Sequence, residues 1–121
     1  MISINFKGLL TIFFLIISNT FMITAWYGHL KWFPKSGIYF TVLISWSLAF
    51  FEYCFQVPAN RIGFAGNGGP FTLVQLKVTQ EVITLMVFSI FSAIVFKNKL
   101  NINQIIGFGF LILSVFFIFK R

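Results

Sequence analysis

The chain has 121 residues, of which 59% are hydrophobic and only 9% charged, whereas a soluble domain carries about 25% charged residues. That excludes a water-soluble globular protein, and the length accommodates about four spans of about 20 residues with no soluble domain beside them. The net charge of +7 is no nucleic-acid signal, because most Lys and Arg residues stand at the ends of apolar runs, where they meet water and anionic head groups.

The composition therefore predicts an all-α membrane protein, a bundle of four transmembrane helices forming one domain over 1–121. The first helix is expected over about 8–28. It follows Lys7 as a signal peptide would, but it lacks a small-x-small cleavage site before Trp26-Tyr27 and is too long for an h-region, so it reads as a span. Trp26, Tyr27, His29, Lys31 and Trp32 mark its interfacial end. Ser18, Asn19, Thr20 and Thr24 are its only polar patch; Asn19, near mid-membrane, suits an interhelical hydrogen bond or a contact with solute or water. His29, the only histidine, sits at the interface, where a solvated role outweighs metal binding or proton relay.

Phe33 to Gly37 reads as a turn. The second helix is expected over 38–56, stopping there because Pro58 disfavours a helical Val57; Glu52, Tyr53 and Gln56 lie near its far end. The single cysteine, Cys54, excludes an intrachain disulfide and reads as a packing residue. The stretch from Pro58 to Pro70 carries four glycines between its two prolines and reads as a loop folding back over the polar helix ends. It lacks the pattern of a phosphate loop. The third helix spans 71–96 and the fourth 102–119. In the fourth, Gly107, Gly109 and Ser114 offer a small-residue surface without a strict G-x-x-x-G.

The third apolar run holds Lys77, Gln80 and Glu81, where a charge at mid-bilayer costs roughly 2.5–3.5 kcal/mol on insertion scales. Helical spacing puts Lys77, Gln80, Glu81, Thr84 and Phe88 on one face, expected to point at protein. Helix 2 ends where helix 3 begins, so Glu52, Gln56, Asn60, Arg61, Gln75, Lys77, Gln80 and Glu81 are expected to converge. Both acids of the chain are among them. The cluster is either a neutral network pinning the helices together or a cavity where a carboxylate binds a cation or trades it for a proton.

Four spans put both termini on one side. Lys7, Arg61, Lys120 and Arg121 then face Lys31, Lys35, Lys97 and Lys99 across the bilayer, and Lys77 adds one to the first side. So even a distribution gives almost no positive-inside bias. Either insertion follows something subtler, or the chain inserts both ways and pairs as an antiparallel homodimer.

At Ala25-Trp26-Tyr27-Gly28-His29-Leu30-Lys31, Ser45-Trp46, Ala49-Phe50-Phe51-Glu52-Tyr53-Cys54, Gln56-Val57-Pro58-Ala59-Asn60-Arg61-Ile62-Gly63, Gln75-Leu76-Lys77 and Gln80-Glu81-Val82-Ile83-Thr84, the chain resembles a bacterial four-helix membrane family of unknown function placed in the drug/metabolite transporter superfamily. The resemblance covers nearly the whole chain. It implies a multi-pass protein of the bacterial inner membrane, distantly like the small multidrug resistance transporters, which are dual-topology proton-coupled antiporters. Their essential glutamate lies in the first helix, and helix 1 here has no acid, so acid-based coupling falls to Glu81 or Glu52.

The leading functional expectation is a secondary transporter of a small solute, cationic or amphipathic, with Lys77, Gln80, Asn19, Arg61 and Gln56 beside the acids. Trp26, Tyr27, Trp46 and Tyr53 could hold a cation by their ring faces. The alternatives are an ion channel and a non-transporting membrane assembly subunit. No cofactor, metal cluster or nucleophile motif is legible, so catalysis is not expected.

Overall fold

A computed structural model describes residues 6–120. Four helices follow one another: α1 over Phe6–Trp32, α2 over Ile38–Gly63, α3 over Leu73–Phe91, continued by a π-helical turn over Ser92–Phe96, and α4 over Ile102–Phe119. All four are long and apolar enough to cross a membrane, so the chain is a multi-pass helical membrane protein. Among the described residues the only β-type pairing is an isolated bridge between Phe64 and Phe71.

The main seam joins α1 and α2, which run antiparallel through the short turn after Trp32. Gly8, Thr11, Leu15, Ser18 and Ala25 are buried along α1, and Glu52, Gln56, Ala59 and Gly63 along α2. Steps of three, four and seven residues keep each set on one face. Small residues bring the backbones close: a Cβ added to Gly63 would sit 2.8 Å from both branches of the Thr11 side chain. Leu15, Ala59 and Ile83 of α3 form the apolar centre. Phe14 and Phe21 of α1 pack on Phe55 of α2, the latter stacked at 6.0 Å between centroids, and continue the seam as an aromatic row.

Several expectations about the elements change. Helix α2 does not stop before Pro58 but runs through it to Gly63. Proline removes only its own N–H, which frees the Cys54 carbonyl, and spanning helices tolerate that loss. Cys54 is exposed on the outer side of α2 rather than buried in packing. Arg61, expected in a loop, stands in the last turn of the helix.

The true loop is correspondingly short. Phe71 N–H donates to Gly63 O at 2.9 Å and Ala65 N–H to Phe71 O at 2.7 Å, folding it into a tight reversal. Gly68 has φ +85°, and a Cβ on Gly69 would lie 2.4 Å from the Gly63 carbonyl, so both positions need glycine. Helix α3 opens with a capping box in which Thr72 accepts from the Gln75 N–H and Gln75 accepts from the Thr72 N–H. Asn101 and Gln104 build the same device at α4. No residue of α4 is buried; it meets α3 along one side and otherwise faces outward.

Candidate functional site

Side-chain hydroxyls in a spanning helix commonly return to their own helix. Thr11, Thr20, Thr24, Thr41, Ser47, Ser89 and Ser114 each donate to the carbonyl four residues back, at 2.7–3.1 Å, which satisfies them without a partner helix. Ser18 and Thr84 depart from that pattern and reach across to other helices, and they mark where the polar groups of the bundle meet.

Ser18 of α1 lies 2.9 Å from Glu52 Oε2 and 2.6 Å from Gln56 Oε1, both on α2. Gln56 Nε2 donates to Gln80 Oε1 of α3 at 2.8 Å. One level away, Thr84 donates to Asn19 Oδ1, while Asn19 Nδ2 donates to the Leu15 carbonyl at 2.7 Å. Asn19 thus makes an interhelical hydrogen bond. Ser18 lies about 18 Å along α1 from its start, at 1.5 Å per residue, so the network sits near the middle of the bundle.

Glu52 is the deepest ionisable group, with only 2% of its surface exposed. Its Oε1 is buried and has no hydrogen-bond partner among the described residues. No lysine, arginine or histidine among the described residues pairs with it; the one ion pair they form is Lys77–Glu81, at 2.8 Å. A buried carboxyl with one oxygen unbonded and no cation beside it departs from the rule that buried polar groups are satisfied.

The expected convergence of eight polar side chains is therefore smaller than the sequence suggested. Glu52, Gln56 and Gln80 come together, joined by Ser18. Lys77 and Glu81 share a face of α3 with Gln80 by spacing but pair on its outer side, with side chains 70% and 56% exposed. Gln75 is spent on the α3 cap. Asn60, Arg61, Lys77 and Gln80 line a groove of about 370 Å³ with Phe64, Leu73 and Leu76, at the end of the bundle where α2 passes into α3. Gln80 belongs both to the buried network and to this groove.

The expected aromatic cage does not form. Trp26 and Trp46 line a separate, mostly apolar groove of about 420 Å³ with His29, near the opposite end of α1. Tyr27 packs edge-on against Phe88 at 5.4 Å, and Tyr53, 59% exposed, lies about two turns along α2 from Trp46 and outside that groove. Ser18 was legible only as part of a polar patch; its role as the bridge depends on its register against Glu52 and Gln56, which no local signal encodes.

Among the described residues no group of three His, Cys, Asp or Glu side chains gathers as a metal site would require. Residues 11–119 match the model of DUF486, a family of unknown function provisionally placed in the DMT superfamily. No curated protein and no solved structure is similar enough to match the chain.

Proposed function

The chain belongs to the DUF486 family of the DMT, or drug/metabolite transporter, superfamily, and from that premise we propose that it is a secondary transporter of the bacterial inner membrane, moving a small solute coupled to protons through Glu52. The superfamily and the four apolar helices make it a transporter-like membrane protein; the coupling residue and the solute are the proposal.

The observation that supports Glu52 is its unsatisfied burial. A network serving only to pin helices would be expected to saturate its acceptors. Here, among the described residues, the carboxyl keeps an unbonded oxygen at the centre of three helices, in the region where secondary transporters place their coupling groups. Glu81 lacks that character, being exposed and already paired with Lys77. An antiparallel homodimer belongs to the same reading, supported by the near-even Lys and Arg count at the two ends and by the outward-facing α4.

The test is proton-linked flux from purified protein in liposomes, across small anions, cations and neutral metabolites. Glu52→Gln should abolish flux while helicity and melting are retained, and Glu81→Gln should leave flux within a few-fold of the unmodified protein. Flux persisting in Glu52→Gln, or its loss in Glu81→Gln alone, would overturn the assignment.

A further inference from the structure

Ser18 Oγ stands between two oxygens, Glu52 Oε2 at 2.9 Å and Gln56 Oε1 at 2.6 Å. A hydroxyl has one hydrogen to give. Two O···O hydrogen bonds need two hydrogens, and with Gln56 turned this way the second belongs to the Glu52 carboxyl. The donors then run in one direction: Glu52 O–H to Ser18, Ser18 O–H to Gln56 Oε1, and Gln56 Nε2 to Gln80 Oε1 at 2.8 Å. Gln80 Nε2, which makes no hydrogen bond to the described residues, is left as the terminal donor.

Loss of the proton reverses this chain without breaking it. The carboxylate accepts from Ser18, Ser18 Oγ accepts from Gln56 Nε2, and Gln56 Oε1 accepts from Gln80 Nε2. Gln80 Oε1 becomes the terminal atom. An amide oxygen and nitrogen are nearly the same size, so each glutamine needs only to turn its end group over. Intermediate arrangements set oxygen against oxygen or N–H against N–H, which makes the two directions discrete.

We propose that Glu52, Ser18, Gln56 and Gln80 form a relay that inverts with one proton, so that Gln80 offers the neighbouring groove a donor when Glu52 is protonated and an acceptor when it is not, and that the groove takes a small anionic solute with hydrogen-bond-accepting oxygens. This rests on the reading that Glu52 carries the proton. The groove's charge agrees with it. Arg61 lines it with no carboxylate partner among the described residues, and Lys77 adds a second cation shared with Glu81. Asn60 supplies a further amide and Leu73 and Leu76 an apolar wall. The groups that reach the relay from α1 and α3 are Ser18 and Gln80, both without charge, and Gln56 is the neutral neighbour on α2 itself. Lys77 and Glu81 pair on the outer side of α3, and Arg61 stands about two and a half turns beyond Glu52 along α2. Solute and proton thus favour one another, which makes the coupling a symport.

The test uses the full chain in lipid nanodiscs and two permanently charged probes, benzenesulfonate and benzyltrimethylammonium, so that pH acts on the protein alone. Binding is read by titration calorimetry and by the side-chain amide signals of nitrogen-15-labelled glutamine. Benzenesulfonate should bind about tenfold more weakly once Glu52 loses its proton, the scale of one hydrogen bond to a charged group, and the Gln80 amide signal should move with the same midpoint. Glu52→Gln keeps the donor direction, because its NH2 can still donate to Ser18, and should bind at the tighter level at every pH. Ser18→Ala should remove the pH dependence, and Gln80→Leu, at the partly exposed end, should remove it even if Ser18→Ala fails to fold. Affinity indifferent to pH, a stronger response to benzyltrimethylammonium, or unchanged pH dependence in Gln80→Leu overturns the relay. Because no transport is needed, a chain that binds in this way but moves nothing supports the relay while refuting the transporter reading.

Discussion

Ser18→Ala isolates the contribution of a single hydroxyl to the fold. Ser18 is fully buried and links two polar groups of the facing helix, one hydrogen bond passing between it and the Glu52 carboxyl and one between it and the Gln56 amide, so its removal leaves both without that partner, beside a Glu52 Oε1 that already has none among the described residues. Each orphaned buried donor or acceptor costs roughly 1–3 kcal/mol in a protein interior. Hydrogen bonds between spanning helices average only about 0.6 kcal/mol, because the separated helices also find partners. Two orphaned polar groups at the lower bound give about 2 kcal/mol, some three times that average. The assay is reversible unfolding in mixed micelles or bicelles, followed by far-ultraviolet circular dichroism, in a double-mutant cycle with Glu52→Leu. Once Glu52 is apolar, Ser18 has one polar partner left, Gln56, and the cost of Ser18→Ala should fall by about half. Additive costs, with an interaction energy under about 0.3 kcal/mol, would refute the bridging role.

The exposed pair on α3 should behave oppositely: Lys77→Ala and Glu81→Gln should each change stability by less than about 1 kcal/mol in the same assay, as exposed ion pairs do. Two glycines, Gly37 before α2 and Gly69 after it, differ in what an added Cβ would meet. Gly69→Ala forces backbone against backbone and should cost more than about 3 kcal/mol or prevent folding, whereas Gly37→Ala meets nothing within 4 Å and should stay within about 0.5 kcal/mol. For orientation, a single cysteine placed at Asn98 in a Cys54→Ser background should label with an impermeant maleimide from both sides of the membrane. Two lysines added to the turn after Phe33 should collapse the labelling to one side.

The spans were legible because composition, aromatic belts and terminal lysines act locally on each segment. The outer end of α2 was not. Pro58 is a strong local signal for termination, but a proline withholds one hydrogen bond only, and in the bundle the residues beyond it have a place to pack: Ala59 is fully buried and Gly63 lies against Thr11. Which acid would be buried was equally beyond local reading. Periodicity put Lys77, Gln80, Glu81 and Thr84 on one face, yet a helical face is broad, and Gln80 and Thr84 turn to α2 and α1 while Lys77 and Glu81 reach outward to each other. The long stem of Lys77 lets its ammonium reach outward to water, and Glu81 follows it as the i,i+4 partner.

The continuation through Pro58 is also what makes the site. Ended at Gln56, α2 would leave that residue in a frayed last turn, free of any fixed register against α1. Continued, Glu52, Gln56, Ala59 and Gly63 form one rigid strip, and Gly63 against Thr11 and Ala59 beside Leu15 set its position. That register places Gln56 where its oxygen meets Ser18 and its nitrogen meets Gln80. Only the strip's polar half bears ionisable chemistry; its small-residue half fixes the distance at which a single hydroxyl can bridge a carboxyl and an amide. The groove lies along the outer flank of the same segment, at Asn60, Arg61 and Phe64, so the buried carboxyl and the solvent-facing cation are held on one helix, about two and a half turns apart.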